Sequence, residues 1–428
     1  MTEGKRKLLS VFHNNKTLVK NFSYLSVLQV LNILLPLITY PYLIRILGKD
    51  VWGLVVFAQA IAAYLVILVS FGFNVSATRH VSIHRNNSEK ISEIFSSVTI
   101  IKTTLFFLSV IILVFVILFL DEAKNQKLLF LLSLWTCVNE LLFPVWYFQG
   151  IEKMRYITYV SVISKLVSLL LIFLFIKHTD DYLLVPLFFL IGTVLSGFIS
   201  LKIILVNDRV KFSWQKISTL KLYFSDSLTI FISILAMSIF VNSNKVLIGF
   251  FLSMKEVAYY DLAEKIITFF KTPQTILSQT IFPKISKERN IVFIKKILSG
   301  AFLFNLFLAI FLVVTAKYFV LFLGGTEMLP TVYIINILVI TIVLSAISNI
   351  LGLQVLIPFG YKNEFTYTFV FSSLVYILFI SATYLFEKIS ITNITVAVVL
   401  TELSIVLIAF YYCRKNKILS KAVIKTSY

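Results

Sequence analysis

Residues 259–282 read YYDLAEKIITFFKTPQTILSQTIF. Wound as a helix at about 100° per residue from Asp261, the side chains of Glu264, Lys265, Thr268, Lys271, Thr272, Thr275, Ser278 and Gln279 share an arc of about 140°. Leu262, Ile266, Ile267, Phe269, Phe270, Ile276 and Leu277 occupy the rest, and Gln274 and Thr280 depart from the pattern. Two chemistries fit the stripe. Asp261 and Lys265 stand i,i+4 and can close an internal salt bridge. A polar face about five turns long, with Lys271 well inside it, also suits a water-filled lumen. The length of the stripe favours the lumen.

Other segments carry shorter polar faces. Gln29, Asn32, Pro36 and Thr39 share one, as do Ser133, Thr136, Glu140, Pro144 and Tyr147. Asp226, Thr229, Ser233 and Asn244 share a third, with Lys245 to one side. Ser, Thr and Asn at such places often bond across helices. Glu140 is different: an acid inside an apolar run needs either a cation beside it or a proton of its own. Residues 37–53, LITYPYLIRILGKDVWG, interrupt an apolar run with Pro36 and Pro41, set Arg45 beside them and turn at Gly48-Lys49-Asp50. Each proline removes a backbone bond, so the segment reads as a hinge. Arg45 either reaches a lumen or snorkels to lipid headgroups.

Composition supplies the surroundings. The chain has 428 residues, 59% hydrophobic and 14% charged, where a soluble domain is about half apolar and a quarter charged. Apolar runs as long as Leu105–Leu120 exceed the roughly 10-residue alternating strands of a membrane barrel and suit helices of about 20 residues. The expected fold is an all-α integral membrane protein. Twelve helices are predicted, with cores at 21–44, 51–73, 94–119, 128–149, 156–176, 182–205, 222–251, 256–281, 293–322, 331–357, 365–386 and 391–412. The intervening loops are short, and those at 206–221 and 283–292 are basic.

Lys49-Asp50-Val51 recurs as Lys255-Glu256-Val257, and Ala58-Gln59-Ala60-Ile61 as Ala263-Glu264-Lys265-Ile266, offset by 206 and then 205 residues. With six helices on each side, this predicts two lobes, 1–206 and 207–428, related by a parallel repeat around a central cleft. The net charge of +19 would suggest nucleic acid on a soluble protein. Here 27 Lys and Arg fall at the termini and even-to-odd loops and 8 on the opposite side, with Lys165, Lys245, Lys265 and Lys271 assigned to helices. The positive-inside rule then places both termini in the cytoplasm and removes nucleic acid as a partner.

No phosphate-binding GxxxxGK[ST] loop occurs, so no nucleotide or other cofactor is expected. His13, His80, His84 and His178 are expected in loops or tails. Cys137 and Cys413 fall at different depths, so no disulfide is expected. No loop is long enough for an extracytoplasmic catalytic site, and transport is expected rather than catalysis.

Three stretches in order carry a family resemblance. TYPYLIRILGKDVWG (39–53), FPVWYFQGIEKMRYIT (143–158) and NSNKVLIGFFLSMKEVAYYDLAEKI (242–266) resemble the Wzx-type O-antigen flippases of the multidrug/oligosaccharidyl-lipid/polysaccharide exporter superfamily. The resemblance covers essentially the whole chain. It implies movement of a polyprenyl-diphosphate-linked oligosaccharide across the bacterial inner membrane, by alternating access between two lobes around a cation-lined cavity. Arg45, Lys265 and Lys271 would then meet the diphosphate. Gln29, Asn32, Thr268, Thr272, Thr275, Ser278 and Gln279 would meet the sugars, and proton or sodium exchange at Glu140, Asp261 or Glu264 would drive it. Membrane lipids, a polysaccharide polymerase and a chain-length regulator are the implied partners. Many members carry an acid where this chain has Lys245, so an ion-coupling role does not carry over there. A drug exporter of the same superfamily would favour an acidic, aromatic cavity. A membrane-embedded polymerase would show a long extracytoplasmic loop.

Overall fold

The structure, a computed structural model, describes residues 16–418. His13 and the basic residues nearest both ends lie outside them. Among the described residues there is no strand. Ten helical stretches among the described residues are long and apolar enough to cross a membrane. The first, Val27–Ile83, holds the first two predicted crossings.

Helix α1 (Lys16–Ser70) leaves helical geometry at Gly48, with φ 75° and ψ 166°. That backbone region is essentially reserved for glycine. Pro36 and Pro41 lie inside the helix, so the break falls on the expected Gly48 turn and not on the prolines. Phe71 and Gly72, both at positive φ, lead into α2 (Phe73–Ile83). This helix was expected as loop, because Asn74, Ser76, Thr78 and Arg79 mask its apolar period. It places His80 in its last turn, which corrects the loop assignment of that histidine.

Helix α3 (Ser88–Phe119) is capped by Asn87, whose side chain accepts from the Lys90 amide at 3.0 Å. After α4 (Asp121–Asn125), the fourth predicted crossing runs as α5 (Lys127–Ser133), α6 (Trp135–Leu142) and α7 (Val145–Gly150). Pro144, without an N–H to donate, separates the last two. Then come α8 (Met154–Phe175), α9 (Leu184–Lys202), α10 (Ile217–Phe251) and α11 (Met254–Glu288). Helix α12 (Ile291–Gly324) follows almost directly, so the basic 283–292 stretch is largely helical and not a loop. Asn290 caps it by accepting from the Phe293 amide at 3.1 Å. The chain ends with α13 (Thr331–Leu338), α14 (Ile340–Asn349), a π-helical segment (Ile350–Leu356), α15 (Lys362–Leu385) and α16 (Ile391–Lys415).

The chain forms two compact units. One holds the residues up to Leu47 with Ala58–Leu235, and the other holds Gly48–Phe57 with the residues from Ala236. In the first unit, Phe73, Val81, Ile94, Val98, Trp146 and Phe148 are among the buried core residues. In the second, Ile294, Ile350, Val355 and Ala409 are. Cys137 and Cys413 are buried free thiols. Helix α12 shows how one helix divides its surface. Ala301, Asn305, Ala309, Leu312, Ala316 and Val320 are buried, while Leu303, Phe307, Ile310, Val314, Tyr318 and Phe322 are exposed at helical spacing. An apolar stripe of that size suits lipid rather than water.

Candidate functional site

In the second unit the polar stripe of α11 divides into three. Near its start Asp261, 1% exposed, faces Lys245 of α10 at 3.1 Å and pairs with Lys265 one turn on. Lys245 also meets Glu264 at 2.6 Å. Two lysines and two carboxylates thus form a formally neutral cluster, so the internal salt bridge expected as the alternative is present. In the middle, Lys271 meets Glu402 of α16 at 3.2 Å. Asn244, Tyr260, Glu264, Thr268, Lys271 and Glu402 help to line a cavity of about 160 Å³ there. The Tyr376 hydroxyl donates to Asn244 Oδ1 at 2.8 Å and holds that amide in place.

Towards the end of α11 the chemistry becomes neutral. Ser278 is buried and donates to Asn349 Oδ1 at 2.6 Å. Its carbonyl accepts from Gln354 Nε2 at 2.8 Å. Gln274 departed from the stripe for a reason: it is buried and accepts from Asn305 Nδ2 of α12 at 3.1 Å. Thr272 and Thr275 donate to the carbonyls of Thr268 and Lys271 one turn back. Thr268 and Gln279 are exposed.

In the first unit Glu140 accepts from Lys102 Nζ at 2.7 Å and from Asn74 Nδ2 at 3.1 Å. Lys102 is 2% exposed. It was grouped with the basic loop before the third predicted helix, and it lies well inside α3. The clue was available, since 94–119 already contains it and a lone buried acid demands a cation. Glu402 carries no comparable local signal, because its lysine partner lies 131 residues away in the chain. Asp226 meets Arg79 at 3.0 Å and His80 at 2.9 Å, which ties α10 to α2. Asn32 accepts from Lys165, and Gln29 is half-buried nearby on α1. Arg45 is exposed on α1, just before the Gly48 break.

The class follows: a multi-pass, all-α membrane protein whose helix bundles hold paired charges. Solved transporters share the fold. The structure titled "Lipid II flippase MurJ, inward closed conformation" aligns with a TM-score of 0.74 at 15% identity, covering 92% of this chain and 89% of that one. An inward-facing multidrug-resistance transporter of the MATE family aligns at 0.67 and 14% identity, covering 91% and 100%. At those identities the likeness is one of fold.

The family of polysaccharide biosynthesis proteins matches residues 18–289, and this chain belongs to it. An Escherichia coli (strain K12) protein named "Putative O-antigen transporter" is 27% identical over 413 residues, 95% of this chain and 99% of its own. A Shigella dysenteriae protein of the same name is 26% identical, covering 84% and 91%. The family expected from residues 39–53, 143–158 and 242–266 is therefore the one found. Its named relatives are transporters and not enzymes.

Proposed function

We propose that the chain is a flippase. It carries a polyprenyl-diphosphate-linked O-antigen unit from the cytoplasmic to the periplasmic leaflet of the bacterial inner membrane, with both termini in the cytoplasm. The observation that carries this reading is the full-length likeness to proteins named as O-antigen transporters. The paired charges inside the bundles supply a mechanism consistent with it. Arg45, Lys265 and Lys271 are the proposed diphosphate cations, with arginine able to hold phosphate oxygens in bidentate fashion. Gln29, Asn32, Thr268, Thr272, Thr275 and Gln279 are the proposed sugar contacts. Ser278 is left out of that set, since its hydroxyl already serves Asn349.

Two lobes, 1–206 and 207–428, rock around a central cleft in this proposal. The pairing of each lysine with a carboxylate gives a route to ion coupling. A diphosphate that takes Lys271 frees Glu402, and one that takes Lys265 loosens Asp261. A carboxylate left alone in a low-dielectric interior is costly until it binds a proton or sodium ion. In the proposed exchange, that cation is bound from the periplasm and released to the cytoplasm on the return of the empty carrier. Glu140, held by Lys102, is the equivalent candidate in the first unit.

The MATE neighbours favour a second reading, export of small molecules. A cationic drug would need an acidic cavity. The cavity of the first unit that holds Lys165 has no carboxylate in its lining, which favours the flippase. Complementation tests it. In cells lacking their own O-antigen flippase, the wild type restores surface polysaccharide, while Lys271→Ala and Arg45→Ala at normal protein level do not. Wild-type failure overturns the flippase. Restoration untouched by both variants overturns the cation assignment. Transport in vesicles that ignores both proton and sodium gradients removes the coupling.

A further inference from the structure

Charges inside the first unit come in pairs. Lys102 has Glu140, Lys153 has Asp208 at 2.6 Å, and Asp226 has Arg79 and His80. Lys165 is the departure. It lies near the middle of α8, and its hydrogen bond goes to the neutral amide oxygen of Asn32. No carboxylate pairs with it among the described residues. A cation in the middle of a membrane helix without a counter-charge is expensive, and such groups persist where a function uses them.

Lys165 faces a cavity of about 460 Å³, within the range of roughly 300–1,000 Å³ typical of small-ligand sites. The lining contains no acid. Trp135 forms part of the wall, stacked on Phe189 with centroids 4.9 Å apart and rings 19° from parallel. Its buried Nε1 finds no acceptor among the described residues. A buried N–H without an acceptor is uncommon and points to a missing partner. Asn139, Gln149, Ser161 and Thr193 add amide and hydroxyl groups to the same space. Gly192 lets α9 approach α8 closely here: a Cβ on it would sit 2.2 Å from Ser168 Oγ.

One cation, an unused indole donor, neutral amides and hydroxyls, and aromatic walls make a specific set. We propose that this cavity recognises an acidic sugar residue of the carried oligosaccharide. Lys165 takes its carboxylate, Trp135 Nε1 donates to a ring or hydroxyl oxygen, and the amides meet the remaining hydroxyls. A diphosphate fits the set poorly, because it carries at least two negative charges and the lining offers one cation. The assignment rests on the flippase reading and narrows it to repeat units that contain a carboxylate.

The test uses the full-length protein in lipid nanodiscs, with methyl glucuronide, methyl glucoside and inorganic diphosphate as probes. Saturation-transfer NMR ranks their binding, and tryptophan quenching reports contact at Trp135. The wild type is expected to prefer the glucuronide over the glucoside by roughly tenfold or more. Lys165→Gln abolishes that preference, Lys165→Arg keeps most of it, and Trp135→Phe weakens both sugars. Equal binding of the two sugars, or a preference that survives Lys165→Gln, overturns the proposal. So does Lys165-dependent binding of diphosphate without a glucuronide preference. If Lys165→Gln does not fold, the Lys165→Arg and Trp135→Phe results decide. A wild type that prefers glucuronide yet restores no surface polysaccharide would sink the flippase reading and leave the site standing. Restored polysaccharide without the preference would do the reverse.

Discussion

Lys245 and Lys165 are both lysines on apolar helices, and their surroundings are opposite. Lys245 sits between Asp261 and Glu264, in a cluster whose charges sum to zero. Lys165 sits over a cavity with an amide for company. The first arrangement spends the charge on holding α10 against α11. The second keeps it available for an incoming anion. A polar stripe along a membrane helix is therefore not by itself a binding site. A counter-charge separates the cations that an anion must win from a carboxylate, such as Lys271, from Lys165, which pairs with no carboxylate among the described residues.

The largest effect that could break this contrast lies at Asp261. Asp261→Ala leaves two lysines to share Glu264. Removing one partner of a buried ion pair costs about 3–5 kcal/mol, so thermal unfolding in detergent should shift sharply downward. A change below about 1 kcal/mol would show that the cluster holds little together.

The pair in the first unit offers a cleaner cycle. Glu140→Gln strands Lys102, which is 2% exposed, and should cost about 3 kcal/mol. The double variant Lys102→Met with Glu140→Leu should recover most of that loss, since an apolar pair can replace a buried ionic one. A double variant as unstable as the single would place the loss in packing and not in charge.

Gly192→Ala comes next. The added methyl would meet Ser168 Oγ at 2.2 Å and the Ser164 carbonyl at 2.7 Å. Overpacking of that kind costs about 1–3 kcal/mol, read as a lower unfolding temperature, and it should also weaken sugar binding next door. Full stability with normal binding would mean that α8 and α9 separate easily.

The smallest expected effect is the most telling. Lys165→Gln relieves the cost of an unbalanced charge and gives up the bond to Asn32, opposed effects that should leave stability within about 1 kcal/mol in either direction. A loss as large as that of Asp261→Ala would reveal a structural role for Lys165 and erase the contrast between the two units.

Much of the architecture was legible in the residues. Apolar runs of membrane-spanning length announce themselves one segment at a time, and the glycine at Gly48 marks its own break, because few other residues adopt that backbone. Helix α2 was missed because its polar residues hide the period. The 283–292 stretch reads as loop in sequence because Lys284, Lys287 and Arg289 interrupt the apolar period, although all but two of its residues are helical. Of the candidate site, the identities on α11 were legible: Asp261 with Lys265 needs only one turn of helix to predict. Gln274 looked like an exception until Asn305 supplied its partner.

The sequence by itself determined that this is an all-α membrane protein, where most of its apolar helices run, and which of them carry charge, since hydrophobic length and helical period are local properties. Only the tertiary structure decided which partner each charge meets. Lys102 and Glu140 are 38 residues apart, Lys271 and Glu402 are 131 apart, and Lys165 and Asn32 are 133 apart. Electrostatic energy in a low-dielectric interior depends on distances of a few ångströms, and those distances exist only once the helices have packed.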